Sequence, residues 1–483
     1  MLLIDSKLYK NMLKNIIVVL ILLLLPTLLF AKLQLPDIIS NDMVLQQNST
    51  VKIWGRALPS SMISVSTEWT ESKLVAKTEA DGSWSVELKT TNAGGPYQIT
   101  ISDQDDTIVL RNILLGEVWL CAGQSNMSMP VRGFDSQPIT NSLSTIIESE
   151  SYNKIRMFTA NRSISSSKEF NVKGNWQSAS INNTGSFSAV GYFYALELYK
   201  VLNVPVGMIN ISWGGSNVQA WMSHESLKMY PEIDLSKIDM KNPSPQRIST
   251  ALYNGMFYPV SGFGIKGIIW YQGENNINEP ALYTKLFPEM VKVWRQTINR
   301  EEIPFYYVQI APYKYDGSNN LVSAYLRESQ FKCQFLIPNS FMVGTADIGE
   351  EELIHTSDKH TIGKRLSYVA LAKTYGYTNL PYSGPVVRKK EISGDRVIIT
   401  FDFADKGLIL KNNSENVFEV AGNDNIYYPA KARIDMENTK QIEIWSEEVT
   451  APVNVRYCFR NYFAGILFNS YGLPASPFRT DTF

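Results

Sequence analysis

The spacing of apolar and polar residues divides the chain into parts of different character. Between residues 32 and 112, short runs alternate apolar and polar positions and are separated by turn signals such as Asp81-Gly82. A period of two is typical of half-buried antiparallel strands, so we expect a small β-sandwich here. Its predicted strands are 51–54, 62–67, 84–88 and 97–101.

From about residue 113, longer apolar runs alternate with amphipathic segments. This rhythm predicts an α/β unit, with a parallel sheet that helices cover on both faces. The predicted strands are 118–122, 155–159, 206–211, 265–271, 304–310 and 340–346, and the predicted helices are 188–202, 281–297, 321–335 and 358–375.

After residue 381 the β pattern returns, with strands predicted at 397–401, 417–420, 441–445 and 453–458. The 483 residues are enough for several packed units. We therefore predict an N-terminal β domain over 32–112, an α/β domain over 113–380 and a C-terminal β domain over 381–483, joined by short linkers near 112 and 378–386.

The first 31 residues have the layout of a secretory signal. Lys10 and Lys14 precede the apolar run 16–30, and the small residue Ala31 follows it. Met12 is an alternative start, and an uncleaved anchor is the alternative interpretation of the segment. We expect an exported protein, periplasmic or extracellular, without membrane contact after cleavage.

Charge and cysteine content exclude several functions. The formal net charge is −1, so the chain lacks the basic excess that nucleic-acid binding requires. The cysteines, Cys121, Cys333 and Cys458, are odd in number and widely spaced, which fits neither a disulfide framework nor a zinc site. We expect buried thiols and no metal.

Polar loops follow the predicted strands of the α/β domain. They are Gly123-Gln124-Ser125-Asn126, Ser212-Trp213-Gly214-Gly215-Ser216 and Gln272-Gly273-Glu274-Asn275-Asn276. In a parallel sheet these loops emerge at one edge. A serine hydroxyl would then meet glycine amides and an asparagine amide, which is the set of groups that acyl transfer uses.

A serine nucleophile needs a base, and the chain has three histidines: His224, His355 and His360. His355 lies in the loop after the last predicted strand, at the same edge, and is our candidate. An acid on the other ring nitrogen would fix the tautomer. Asp347 at the end of that strand is the first choice, and Glu352 is the alternative.

Several stretches together resemble the sialate O-acetylesterases, within the SGNH hydrolases. The stretches are 116–127, 212–216, 220–223, 269–276, 354–355, 363–366 and 472–480. The resemblance implies a flavodoxin-like parallel sheet between two antiparallel β domains. It also implies that Ser125 is the nucleophile and His355 the base, and that Gly215 and Asn276 join the Ser125 amide in the oxyanion hole.

The chain departs from the family pattern beside the histidine. The family usually has proline after it, where this chain has Thr356, and this change is expected to loosen the loop. The usual Asp-x-x-His spacing is replaced by Glu352-Leu353-Ile354-His355, so the acidic member stays open between Asp347 and Glu352.

The predicted function is that of a serine carbohydrate esterase that removes O-acetyl groups from sugars without a cofactor. Sialic acid is the first choice of substrate. Alternatives are an esterase for acetyl groups of plant polysaccharides such as xylan, a lipase-like GDSL enzyme and a non-catalytic glycan-binding protein. Candidate substrate contacts are Gln124, Trp213, Gln272 and Glu274. The sequence leaves the natural substrate and the oligomeric state open.

Overall fold

The computed structural model describes residues 32–411 and 416–481. The predicted signal segment 1–31 lies outside the described residues. Across the described ranges, no helix is both long and apolar enough to cross a membrane.

The N-terminal part is built mainly from antiparallel strands, as the alternating pattern predicts, and contains one parallel pair. Strand pairs β2–β5, β3–β4, β3–β6 and β6–β7 are all antiparallel. The strands are β1 (Val44–Gln46), β2 (Thr50–Arg56), β3 (Met62–Thr67), β4 (Thr70–Lys77), β5 (Ser83–Lys89), β6 (Gly94–Ser102) and β7 (Thr107–Gly123).

Strand β7 belongs to two sheets at once. Its first half, from Thr107 to Leu115, pairs with β6, and Leu114–Gly116 pairs with β1. Its second half is the centre of the next sheet. The predicted boundary at 112/113 therefore falls inside one continuous strand and not in a linker.

The central sheet confirms the predicted α/β class. Its spatial order is β13-β12-β11-β7-β10-β8-β9, and all neighbours are parallel except the pair β8–β9. The additional strands are β8 (Ile155–Ala160), β9 (Gly174–Ser178), β10 (Val206–Asn210), β11 (Gly267–Tyr271), β12 (Phe305–Val308) and β13 (Ser340–Val343).

Helices cover both faces of this sheet. Helices α3 and α7 contribute to one apolar cluster, and α5 and α6 contribute to the cluster on the other face. The helices are α1 (Ser125–Ser128), α2 (Ser142–Glu148), α3 (Ala189–Leu202), α4 (His224–Leu227), α5 (Pro280–Ile298), α6 (Val322–Leu336) and α7 (Lys359–Lys373). Each of the four predicted helices is present.

The C-terminal part has its own apolar core and small antiparallel sheets. It also touches the α/β unit, because the Gly465 amide donates to the Ala346 carbonyl at 2.9 Å. Its strands are β14 (Val386–Ser393), β15 (Arg396–Asp402), β16 (Leu408–Leu410), β17 (Phe418–Ala421), β18 (Tyr427–Pro429), β19 (Lys431–Ile434), β20 (Gln441–Trp445), β21 (Asn454–Tyr457), β22 (Leu467–Asn469) and β23 (Phe478–Arg479).

The strand order decides where the polar loops meet. Strands β10, β7 and β11 are immediate neighbours and run in the same direction. The loops that follow them therefore leave one edge of the sheet side by side, as expected for ligand sites in open α/β sheets.

The three cysteines are buried and form no disulfide, as predicted.

Candidate active site

Ser125 lies immediately beyond the central strand. Strand β7 ends at Gly123, whose φ is +138°. A side chain there would place its Cβ 2.1 Å from the Tyr271 carbonyl oxygen, so glycine is required. Ser125 begins helix α1, is partly exposed, and its hydroxyl forms no hydrogen bond with the described residues.

The glycine loop after β10 lies against Ser125. A Cβ added to Gly214 would be 3.2 Å from Ser125 Cβ, and Gly215 has a φ of +75°. The Trp213 amide donates to the Gly123 carbonyl at 3.0 Å, which fixes this loop to β7. The amides of Ser125, Gly214 and Gly215 have no acceptor among the described residues.

Asn276 lies in the third loop, but other side chains engage its amide. Its Nδ2 donates to Gln219 Oε1 at 3.0 Å and to Glu279 Oε2 at 3.5 Å. Its Oδ1 accepts from the Val218 amide and from Gln272 Nε2. In this arrangement the Asn276 side chain joins two loops, and the expectation that it faces an oxyanion beside Ser125 stays a prediction.

His355 is held by a turn that the sequence analysis did not single out. Its Nδ1 is 2.5 Å from Gln137 Oε1, and the Phe134 ring packs edge-on against the imidazole at 5.2 Å. Phe134 and Gln137 exchange two backbone hydrogen bonds, so both side chains come from one tight turn. Because the amide oxygen only accepts, Nδ1 carries the hydrogen and Nε2 keeps its lone pair.

The two acids that we expected beside the imidazole are paired elsewhere. Asp347 forms a two-point ion pair with Arg365, at 2.8 and 2.7 Å. Glu352 is 71% exposed and pairs with Lys314. Among the described residues, the structure gives His355 the Gln137 side chain as its hydrogen-bond partner and brings neither Asp347 nor Glu352 to the imidazole.

Asn126 links the serine segment to the histidine segment. Its Nδ2 donates to the Ile354 carbonyl at 3.1 Å and to Glu274 Oε1 at 2.5 Å. A hydrogen bond thus joins the residue after Ser125 to the residue before His355. Asn126 was part of the sequence motif, but nothing in the spacing indicated that it reaches a residue 228 positions away.

The candidate substrate contacts differ in exposure. Gln124, Gln272 and Glu274 are buried and bond within the protein. For example, Gln124 Oε1 accepts from the amide of Gly273 at 3.3 Å. Trp213 is partly exposed, and the Arg162 guanidinium lies 5.9 Å from its ring centroid. Trp213 is therefore the one of the four that a ligand can reach.

Comparison with known proteins identifies the family. A family described as "Carbohydrate esterase, sialic acid-specific acetylesterase" matches residues 115–372, more than half of the chain. The chain belongs to this family.

Individual relatives agree with this assignment. The chain is 28% identical to sialate O-acetylesterases of mouse and of human, over 79% of this chain and 81% and 79% of theirs. The crystal structure of a carbohydrate acetylesterase from Xanthomonas citri superposes with a TM-score of 0.84 and 33% identity, covering 93% of this chain and 100% of that one. The protein is a carboxylic ester hydrolase that removes O-acetyl groups from carbohydrate.

The electrostatics of the site suit such an esterase. Burial, and secondly the charge of Lys359, lower the pKa of His355 to about 4. The imidazole is therefore neutral at ordinary pH, as a general base must be. Burial likewise raises the pKa of Glu274 and lowers the pKa of Lys359 to about 7.

Thr356, where the carbohydrate esterase family usually has proline, is buried. Its hydroxyl donates to the Ile348 carbonyl. The next amide, of Ser357, donates to Glu350 Oε1 at 2.6 Å. These two hydrogen bonds tie the histidine loop to the residues that precede it.

Proposed function

We propose that this esterase removes O-acetyl groups from sialic acid, with Ser125 as nucleophile and His355 as general base. The family description and the names of the mouse and human relatives support the substrate. The apolar run of residues 16–30 after Lys10 and Lys14 supports export, so the proposed substrate is an external glycan, met in the periplasm or outside the cell.

In the first step, Ser125 Oγ attacks the acetyl carbonyl carbon while His355 Nε2 takes the hydroxyl proton. The oxyanion that forms accepts hydrogen bonds from the unoccupied amides of Ser125, Gly214 and Gly215. One such donor contributes about 3 kcal/mol to the stability of the transition state. The tetrahedral intermediate then expels the sugar oxygen, which takes the proton from His355.

In the second step, His355 removes a proton from water as the water oxygen attacks the acetyl-serine. Collapse of the second intermediate releases acetate, and the proton on His355 returns to Ser125 Oγ. Gln137 keeps the hydrogen on Nδ1 throughout, so that Nε2 stays the reactive nitrogen.

The observation that supports this scheme most directly is the bond from Asn126 Nδ2 to the Ile354 carbonyl. It joins the neighbours in sequence of the proposed nucleophile and base. Gly214 lies against the same serine, and the amides of Gly214 and Gly215 have no acceptor among the residues that the structure describes. These contacts support a site in which the proposed nucleophile, base and anion donors come from three distant parts of the chain.

Two guanidinium groups favour an acidic sugar over a neutral one. The Arg247 Nε donates to the Gly215 carbonyl at 3.3 Å, and Arg162 lies over Trp213. Both arginines are exposed and lie beside the glycine loop. The carboxylate of sialic acid can pair with such a group, whereas acetylated xylan offers no charge for it.

The test is acetate release from O-acetylated sialic acid by the wild-type protein and by Ser125→Ala. We expect turnover by the wild type and loss of several orders of magnitude in the variant, because the hydroxyl that forms the covalent intermediate is gone. Turnover retained by folded Ser125→Ala would refute the role of Ser125. Faster release from O-acetyl xylo-oligosaccharides would instead refute the substrate.

A further inference from the structure

A buried polar cluster includes the residue that follows Ser125 in the chain. It consists of Asn126, Glu274 and Lys359, all of which are buried. Lys359 is the first residue of helix α7, and its Nζ donates to Asn126 Oδ1. Its ammonium also lies 5.5 Å from the centroid of the Tyr271 ring.

Both ends of the Asn126 carboxamide have hydrogen-bond partners. Oδ1 accepts from Lys359, while Nδ2 donates to Glu274 and to the Ile354 carbonyl. These partners come from helix α7, from the loop after β11 and from the histidine loop. With both ends of the amide fixed, the side chain cannot rotate without breaking a buried hydrogen bond, which costs about 1–3 kcal/mol.

We propose that Lys359 is a positioning residue of this esterase: by holding Asn126, it fixes the segment that carries Ser125 against the segment that carries His355. The inference rests on the proposed roles of Ser125 and His355. Lys359 itself touches neither substrate nor reacting atoms in this scheme and acts through Asn126.

The charges around Lys359 explain why an ammonium can be buried here. The carboxylates of Glu274, Glu350 and Asp358 all favour its charged form, whereas burial opposes it. Glu274 Oε2 is itself buried and has no hydrogen-bond partner within the described ranges, so each charge of the cluster depends on the other. The charge of the Lys359 ammonium also acts on the His355 imidazole and, after burial, disfavours imidazolium.

This arrangement gives the lysine two measurable effects. Loss of the Asn126 contact lets Ser125 and His355 shift relative to each other, which lowers kcat more than it changes KM. Loss of the positive charge stabilises imidazolium, so the acid limb of kcat/KM against pH moves to higher pH. A purely structural role would not produce the second effect.

The experiment compares Lys359→Met and Glu274→Gln with Lys364→Met, a matched control on the same helix that lies outside the cluster. For Lys359→Met we expect kcat on an acetyl ester to fall by about tenfold or more, with the acid limb moved upward. Glu274→Gln should lower kcat, because Lys359 loses a carboxylate that favours its charged form. It should not move the acid limb upward, because the change removes a negative charge. Lys364→Met should retain the wild-type profile.

The double variant Lys359→Met with Glu274→Gln covers the case in which the single variant fails to fold, because it removes both buried charges together. A folded Lys359→Met or double variant with wild-type kcat and an unmoved acid limb would overturn the inference. If Ser125→Ala is inactive in the same assay, that outcome leaves the proposed function standing. Activity of Ser125→Ala would instead refute the proposed function by itself.

Discussion

At the scale of single residues, the most unusual feature of the site is the neutral partner of the histidine. A carboxylate on Nδ1 would stabilise imidazolium and raise the pKa of the base. The Gln137 amide fixes the tautomer without supplying that charge. Burial and the charge of Lys359 both lower the pKa of His355, and no adjacent acid among the described residues raises it again. The pKa of His355 therefore falls to about 4.

The pH dependence of catalysis tests this description. Because the base works only when neutral, the acid limb of kcat/KM in the wild type should lie near the His355 pKa of about 4. Gln137→Glu places a carboxylate on Nδ1 and should move that limb to higher pH. Gln137→Met removes the acceptor and should lower kcat without an upward shift. Identical acid limbs for wild type and Gln137→Glu would contradict the assignment of Gln137.

The residues of the site were only partly predictable for a physical reason. Ser125 and His355 follow strand ends, and an apolar run marks a strand end in the sequence. Gln137 lies in a surface turn 218 residues from His355, and no periodicity connects the two. Asp347 was assigned from its position after a strand, but sequence spacing cannot show that Arg365 on helix α7 binds its carboxylate.

At the scale of elements, adjacent strand ends create the site. The predicted strands and helices of the α/β unit are present, and their ends are shifted by a few residues. They could be predicted because buried parallel strands and amphipathic helices have distinct apolar periods. The exception is β7, which begins well before residue 118. The spatial order β11-β7-β10 was not predicted from these patterns. That order places the loop with Gly214 beside the loop with Ser125.

The close approach of these loops gives a prediction for Gly214→Ala. The new Cβ would lie 3.2 Å from Ser125 Cβ, so one loop must move by a few tenths of an ångström. We expect kcat to fall by about tenfold with little change in melting temperature, since misplacement of the nucleophile costs rate more than stability. Gly422→Ala is the matched control, because its Cβ would meet neighbours at an ordinary 3.5 Å or more in the C-terminal part. Equal kinetics of the two variants would show that the loop adjusts freely.

At the scale of the whole molecule, the N-terminal β part and the α/β unit share one core. One apolar cluster contains Ile53 and Val65 from the first part together with Trp270 and Trp294 from the second. The Trp176 Nε1 in the α/β unit donates to the Ile38 carbonyl at 2.8 Å. The sequence showed the change of pattern near residue 113, but not that a single strand runs through it.

This sharing predicts the behaviour of a chain that begins at residue 113. Such a chain keeps the second half of β7 but loses β6 and β1, the partners of its first half, and exposes Leu114 and Leu115, which are now buried. An unpaired apolar edge of this kind promotes aggregation. We expect the truncated chain to be insoluble or to lack a cooperative thermal transition, whereas residues 32–483 unfold cooperatively in the same buffer. Circular dichroism melts and acetate release compare the two. A soluble, active chain from 113 onward would instead establish the 112/113 boundary as a true domain boundary, because the catalytic sheet would then form without its N-terminal partner.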